Sequence, residues 1–384
     1  MKRFLKRFLS TSLSAALIIG CLSACGTSTE ENTGSTAQTT PTTTRETSED
    51  KLQIVTTIFP EYDWVKQILG ENAANAELTL LLDNGVDLHS YQPTAEDILK
   101  ISTCDMFVYV GGESDEWVED ALAEAENKDM KVINLMEIMG DSAKEEEIKE
   151  GMEAEHDHDH HDHEEGEEHG EEHEAEEHGE EHEDEEHGEE HEAEEHEEHE
   201  HEEGEVEYDE HVWLSVKNAK TLCGAISDDL CEIDPENAET YKANLDEYTK
   251  QLDTLDSSFS ELAAGAENKT LIFGDRFPFR YFVDDYGLDY YAAFVGCSAE
   301  TEASFETIAF LSGKLDELGN DTVFTIENSD GKIAQAVIDN STAKDQKIAA
   351  LDSMQSATSK QIDEGVTYLS VMQSNYDVLG EALK

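Results

Sequence analysis

The sequence predicts an α/β protein of two α/β lobes with mainly parallel sheets, joined by one long rigid helix. Three observations carry this reading. Short apolar runs alternate with amphipathic stretches between residues 51 and 135, and the alternation returns between residues 270 and 383. Between the two series lies a single apolar stripe at helical spacing. Strands that alternate with helices favour a parallel sheet with helices on its faces.

In the first series, residues 52–59 read as a strand and 61–69 as a helix that opens after Pro60. A strand at 78–82 runs into a loop over 83–92, and Pro93-Thr94 starts a helix to about residue 103. Residues 106–110 form a strand, 115–125 a helix and 132–135 a fourth strand. After a long interruption, His211-Val212-Trp213-Leu214 leads into a helix through about residue 230. Asp234-Pro235 offers an N-cap acid followed by proline, a good helix start. Tyr241, Leu245, Tyr248, Leu252, Leu255, Phe259 and Leu262 then follow in steps of four and three. That stripe marks one helix of about 30 residues, ~45 Å long at 1.5 Å per residue. A coiled coil shows the same stripe, but a single copy between α/β segments favours a helix packed along two lobes. The second series gives strands at 270–273, 290–294, 322–326 and 348–351, and helices at 277–286, 305–318, 332–339 and 359–383. The expected organisation is an N-terminal lobe over 51–232, a linking helix over 233–265 and a C-terminal lobe over 266–384.

Charge narrows the partners. The formal net charge is −68; residues 151–210 hold 34 acids and no Lys or Arg, and the rest of the chain, with 59 acids against 25 bases, still carries −34. Such acidity argues against nucleic acid as a partner. At the N-terminus, a basic start (Lys2, Arg3, Lys6, Arg7) precedes an apolar stretch over 13–22. It is shorter than the ~20 residues that span a bilayer, so it reads as a secretory signal. Leu22-Ser23-Ala24-Cys25 resembles a bacterial lipobox, with a weaker second match ending at Cys21. A signal peptide over 1–25, a lipid on Cys25 and a Thr/Ser-rich tether over 26–50 would anchor the chain to the outer face of a bacterial cytoplasmic membrane. The plainer alternative is an ordinary signal peptide with an incidental cysteine. Cys104, Cys223, Cys231 and Cys297 remain in the body, with no CxxC pair, and read as buried small hydrophobes.

Histidine usage points to metal. Of 16 histidines, 14 fall in a Glu/Asp-rich tract: His156, His158, His160, His161, His163, His169, His173, His178, His182, His187, His191, His196, His199 and His201. Imidazoles in a carboxylate field attract divalent cations. A nine-residue repeat, Gly-Glu-Glu-His-Glu-x-Glu-Glu-His, covers 170–178, 179–187 and 188–196. Nine residues turn a helix by about 900°, so successive units point to opposite sides and build no continuous metal face. Pairs such as His169/His173 could still chelate locally. Like-charge repulsion predicts an insertion at about 145–207 that is disordered without metal and holds several weak, accessory sites. Two histidines remain, His89 just after a strand and His211 just before a helix. A lone loop histidine is ordinarily solvent-exposed. Loops at the carboxyl ends of parallel strands, however, are where α/β proteins bind ligands.

At these motifs the chain resembles the zinc/manganese substrate-binding lipoproteins of ABC transporters (solute-binding protein family 9). The matching stretches are Ile54-Val55-Thr56-Thr57-Ile58-Phe59-Pro60, Gly85-Val86-Asp87-Leu88-His89-Ser90-Tyr91-Gln92-Pro93-Thr94 and His211-Val212-Trp213-Leu214. Tyr281-Phe282, Tyr286-Gly287-Leu288 and Phe324-Thr325-Ile326-Glu327-Asn328 also match. The resemblance implies a metal held in the interlobe cleft, Zn²⁺ before Mn²⁺, and an ABC permease as partner to a monomeric, lipid-anchored protein. It implies His89 and His211 as ligands from the first lobe and Glu327 as a carboxylate from the second. The family usually has a further histidine in a Phe-His-Asp-like motif. Here the segment reads Phe273-Gly274-Asp275-Arg276-Phe277-Pro278, so that histidine falls at Gly274 or at Arg276, depending on the end counted from. Asp275 is the candidate ligand between them, as a ligand itself or as an acid orienting one; Cys297 and Glu302 are the other candidates. Two carboxylates would relax the preference for zinc over manganese, whereas the histidine tract favours zinc.

Catalysis finds no motif: H-E-x-x-H, the P-loop and G-x-G-x-x-G are all absent. A metal-capturing transport component is the expected function. Its rivals are an extracellular zinc buffer or adhesin with no transporter partner and, more remotely, a zinc hydrolase.

Overall fold

The computed structural model describes residues 51–153, 207–298 and 302–384. Cys25, the tether and the histidine tract lie outside them. The first lobe starts with β1 (Leu52–Thr56), whose inner residues Ile54 and Val55 are buried, and α1 (Phe59–Leu69). Glu61 stabilises the start of α1, because one carboxylate oxygen accepts from the backbone N–H groups of Thr57 (2.8 Å) and Ile58 (3.1 Å). β2 (Ala76–Leu80), α2 (Ala95–Thr103), β3 (Met106–Tyr109), α3 (Trp117–Ala123), β4 (Lys131–Asn134) and the short α4 (Leu135–Met139) complete the lobe. A capping box between Thr94 and Asp97 fixes the start of α2, as Pro93-Thr94 foreshadowed. The four strands pair in the order β2-β1-β3-β4, all parallel.

Two antiparallel neighbours follow, α5 (Val216–Ile233) and α6 (Ala238–Gly265). α6 has 28 residues and begins later than Asp234-Pro235 suggested. Asp234 is spent at the end of α5, where its N–H bonds to Leu230, and its carboxylate takes the hydroxyl of Tyr241 (2.5 Å). The apolar stripe turns inward as expected, with Tyr241, Tyr248, Leu252, Leu255 and Phe259 buried.

The second lobe runs β5 (Thr270–Phe277), α7 (Arg280–Tyr286), β6 (Asp289–Val295), α8 (Phe305–Leu318), β7 (Thr322–Ile326), α9 (Lys332–Asn340), β8 (Lys347–Leu351), α10 (Ser359–Asp363) and α11 (Tyr368–Ala382). Its sheet, β6-β5-β7-β8, is also parallel. Two expectations change here. β5 extends to Phe277 and α7 starts only at Arg280, because Pro278 disfavours helical backbone at Phe277. The single C-terminal helix is two, separated at Gly365 (φ 90°), after which Thr367 and Ser370 cap α11.

α6 touches α1 on the first lobe and α7 and α11 on the second. The lobes share one apolar core, from Ile54 and Trp64 through Trp213 and Phe259 to Phe273 and Phe324. Polar ties reinforce it: the Trp213 indole donates to the Ser353 carbonyl (2.8 Å), and the Tyr368 hydroxyl to the Trp213 carbonyl (2.8 Å). A shared core and a continuous helix oppose wide hinge opening.

Candidate metal centre

His89 lies in the loop after β2, on a 3₁₀ turn (Leu88–Ser90) that Asp87 caps by accepting the His89 N–H at 3.1 Å. His211 precedes a second 3₁₀ turn (Val212–Leu214) and is fully buried. One oxygen of Asp209 accepts both the His211 backbone N–H (2.9 Å) and its ring Nδ1 (2.9 Å). The Nδ1 of His89 meets the Ser114 hydroxyl at 2.8 Å, on the loop after β3. With both Nδ1 atoms engaged, the two Nε2 atoms face each other at 3.2 Å. The acid–imidazole pair at His211 fixes its tautomer and ring plane, the usual way of aiming a metal-binding histidine. Ser114 can donate or accept, so it suits either tautomer of His89.

The third side chain of the group is Cys297, just beyond β6: a nitrogen of each histidine and the Cys297 sulfur all lie within 4.8 Å of one another. Gly296 makes this approach possible. A Cβ there would sit 2.9 Å from Cε1 of His211, so only glycine lets the strand end run against the imidazole.

That group does not include Glu327 or Asp275, the two carboxylates the sequence favoured. Glu327, after β7, lines a cleft of about 480 Å³ between the lobes, together with Asp87, Asp275 and Arg276. Its oxygens accept from the Ser353 N–H (2.7 Å) and hydroxyl (2.9 Å) and from the Gln355 N–H (3.2 Å). Asp275 accepts from the backbone N–H groups of Arg276 (2.9 Å) and Ile326 (3.4 Å). Glu302 is exposed and outside the group. Neither position for the family's further histidine offers a ligand. Gly274 packs against Ala334 of α9, and Arg276 reaches across the cleft to Asp87 (2.7 Å) while also donating to the Ser298 carbonyl of its own lobe (3.3 Å).

Electrostatics keep the site charged unevenly. Burial and then the charge of His211 push His89 down to about 3, leaving it neutral and able to bind a cation. At His211, burial acts in the same direction but Asp209 outweighs it, raising that ring above its ordinary value. Burial, followed by the carboxylates of Asp209, Glu210 and Glu146, raises the Cys297 thiol well above 9.0. Burial of Asp87 is outweighed by Arg276, which lowers that carboxyl. Burial, then Asp352, raises Glu327 to about 7.

Asp115 gives a measurable consequence. Burial first, and the nearby Glu210, raise its carboxyl from 3.8 to about 7, against a hydrogen bond from the Gly111 N–H (2.9 Å). The folded state therefore keeps a proton that the unfolded chain gives up near 4, so this contribution is full below about pH 4 and lost as pH rises to about 7. A tenfold difference in proton affinity between the two states corresponds to about 1.4 kcal/mol of stability. In urea titrations of metal-free protein, Asp115→Asn should lose less stability than the parent between pH 5 and pH 8. Equal losses would show that Asp115 is ionised throughout.

Two α/β lobes with convergent imidazoles between them define a bilobal metal-binding protein. The chain belongs to the family of zinc-uptake complex component A, periplasmic, whose model matches residues 54–382. It is 28% identical over 336 residues to the zinc-binding protein AdcA of Streptococcus pyogenes serotype M3, covering 86% of this chain and 56% of that protein. This chain thus spans little more than half of that relative. It is 27% identical to the high-affinity zinc uptake system protein ZnuA of Bacillus subtilis, covering 88% of this chain and 89% of that one. The crystal structure of Zn(II)-bound AdcA from Streptococcus pneumoniae superposes with a TM-score of 0.61 at 25% identity, covering 87% of this chain and 58% of that one.

Proposed function

We propose that this chain is the extracytoplasmic component of an ABC zinc importer, which captures Zn²⁺ between the lobes and delivers it to a permease. The observation that carries the reading is the pair of Nε2 atoms 3.2 Å apart. A tetrahedral Zn²⁺ about 2.0–2.1 Å from each nitrogen would hold them about 3.3–3.4 Å apart, so the pair is already set for one ion. His89 and His211 are the ligands in this reading. The carboxyl groups of Glu327, Asp275 and Asp87 line the cleft wall, Asp87 paired there with Arg276. Release at the permease needs only a small movement, since the lobes share one core. A lipid on Cys25 would hold the protein at the membrane, and among the described residues no helix is long and apolar enough to cross one. The histidine tract acts as an accessory collector that raises the local zinc concentration. No step of this function needs catalysis.

Isothermal titration tests the division of labour. Residues 144–146 and 207–209 lie side by side, bridged between Glu145 and Tyr208, so both flanks of the tract are held by the folded body. Replacing residues 154–206 by a short Gly/Ser linker is expected to remove the weak sites and leave one tight zinc site per chain. Loss of the tight site with the tract would sink the cleft reading.

A further inference from the structure

We propose that Cys297 supplies the second lobe's ligand, so that the ion is held by two imidazoles and one thiolate; this rests on the zinc-capture reading above. Three independent observations converge on it. The Cys297 sulfur shares the 4.8 Å group with nitrogens of His89 and His211. The strand end that carries it approaches His211 closely because residue 296 is a glycine, whose Cβ would lie 2.9 Å from Cε1 of the ring.

The third observation is a buried oxygen without a partner. Cys297, His89 and Glu210 line one opening of about 250 Å³. Glu210 is 2% exposed, and its Oε1 accepts from the Ser114 N–H at 2.9 Å. Its Oε2, 3.8 Å from Nδ1 of His89, has no hydrogen-bond donor. A buried carboxylate oxygen without a donor is costly. A cation bound in the same opening offsets that cost.

Among the described residues, two other side chains that reach the cleft from the second lobe are engaged elsewhere. Arg276 is paired with Asp87, and the oxygens of Glu327 are held by Ser353 and Gln355. Thiolate and imidazole together select borderline and soft ions, whereas Mn²⁺ prefers oxygen. Cys297 is therefore the specificity-determining ligand: it makes this a zinc site rather than a manganese site. On binding, the thiol gives its proton to solvent as the sulfur–metal bond forms.

Cobalt substitution of the full chain tests this directly, because the histidine tract contains no sulfur and cannot produce a thiolate signal. With Co²⁺ added to one equivalent, the parent should show a near-ultraviolet thiolate-to-cobalt charge-transfer band that Zn²⁺ abolishes. Cys297→Ser should lack the band, bind Zn²⁺ at least about 10-fold more weakly and discriminate less against Mn²⁺. The parent spectrum needs no variant, so a misfolded Cys297→Ser leaves the test intact. A parent that fills one tight cobalt site without the band overturns the ligand assignment and leaves zinc capture standing. A parent with no tight site at all overturns zinc capture itself.

Discussion

His211→Ala is expected to abolish tight zinc binding, with a loss of at least about 100-fold in affinity when measured against a competing chelator. Removing only an outer partner of a metal ligand already costs about 10–100-fold. Here the substitution deletes the ligand and also strands its partner. Asp209 would keep the backbone N–H of residue 211 but lose the ring Nδ1, in a site with no exposed surface to rehydrate it. The imidazole also fills space beside Trp213, with ring centroids 5.2 Å apart, and against the backbone of Gly296. Binding and stability should therefore fall together. A control separates the site from the tract: His178→Ala, within the nine-residue repeat, should leave chelator-resistant zinc unchanged. If His211→Ala retains the tight site, the converging imidazoles are not the binding centre.

Much of this centre was legible because composition isolated it. Once fourteen histidines fall in one tract, His89 and His211 are the remainder, and the strand-to-loop positions already suggest a ligand site. The framework was legible for a similar reason. The periodicity of β7 and α8 reproduces their bounds in the structure, and the stripe of α6 faces the core. What spacing could not show was which distant loops converge. Ser114, Asp209 and Glu210 surround the histidines through contacts far apart in sequence or through backbone turns that no motif encodes. Cys297 was one candidate among several, and Gly296 beside it was the overlooked signal: a glycine at a strand end often marks close approach to a side chain. The carboxylate choice was led by position along the chain. In the folded protein Asp275 accepts from two backbone N–H groups, and both it and Arg276 line the cleft.

Gly274→Ala is expected to destabilise the second lobe by about 3 kcal/mol or more, read as a fall in the urea midpoint. A Cβ at Gly274 would lie 2.4 Å from the Cα of Ala334, 2.6 Å from its backbone nitrogen and 2.8 Å from its Cβ. Those atoms belong to the first turn of α9, and Ala334 is fully buried, so no flexible side chain can yield. Relief would require α9 to lift from β5 and open the core that also holds Ile272, Leu311 and Val337. The pairing of β5 with β6 shifts register between Phe273 and Arg276, around this same glycine. The shift lets the chain pass beneath α9 and still bring Arg276 to the cleft. Two substitutions on this strand can therefore be set against each other. Gly274→His should fail to fold, whereas Arg276→His should fold, lose the pair with Asp87 and place an imidazole beside the metal centre. A stable Gly274→His protein would mean that β5 and α9 are not packed as close as 2.4 Å implies. If the order holds, the histidine missing from this strand can be restored at position 276 and not at 274, and the close packing of a glycine against a helix decides which.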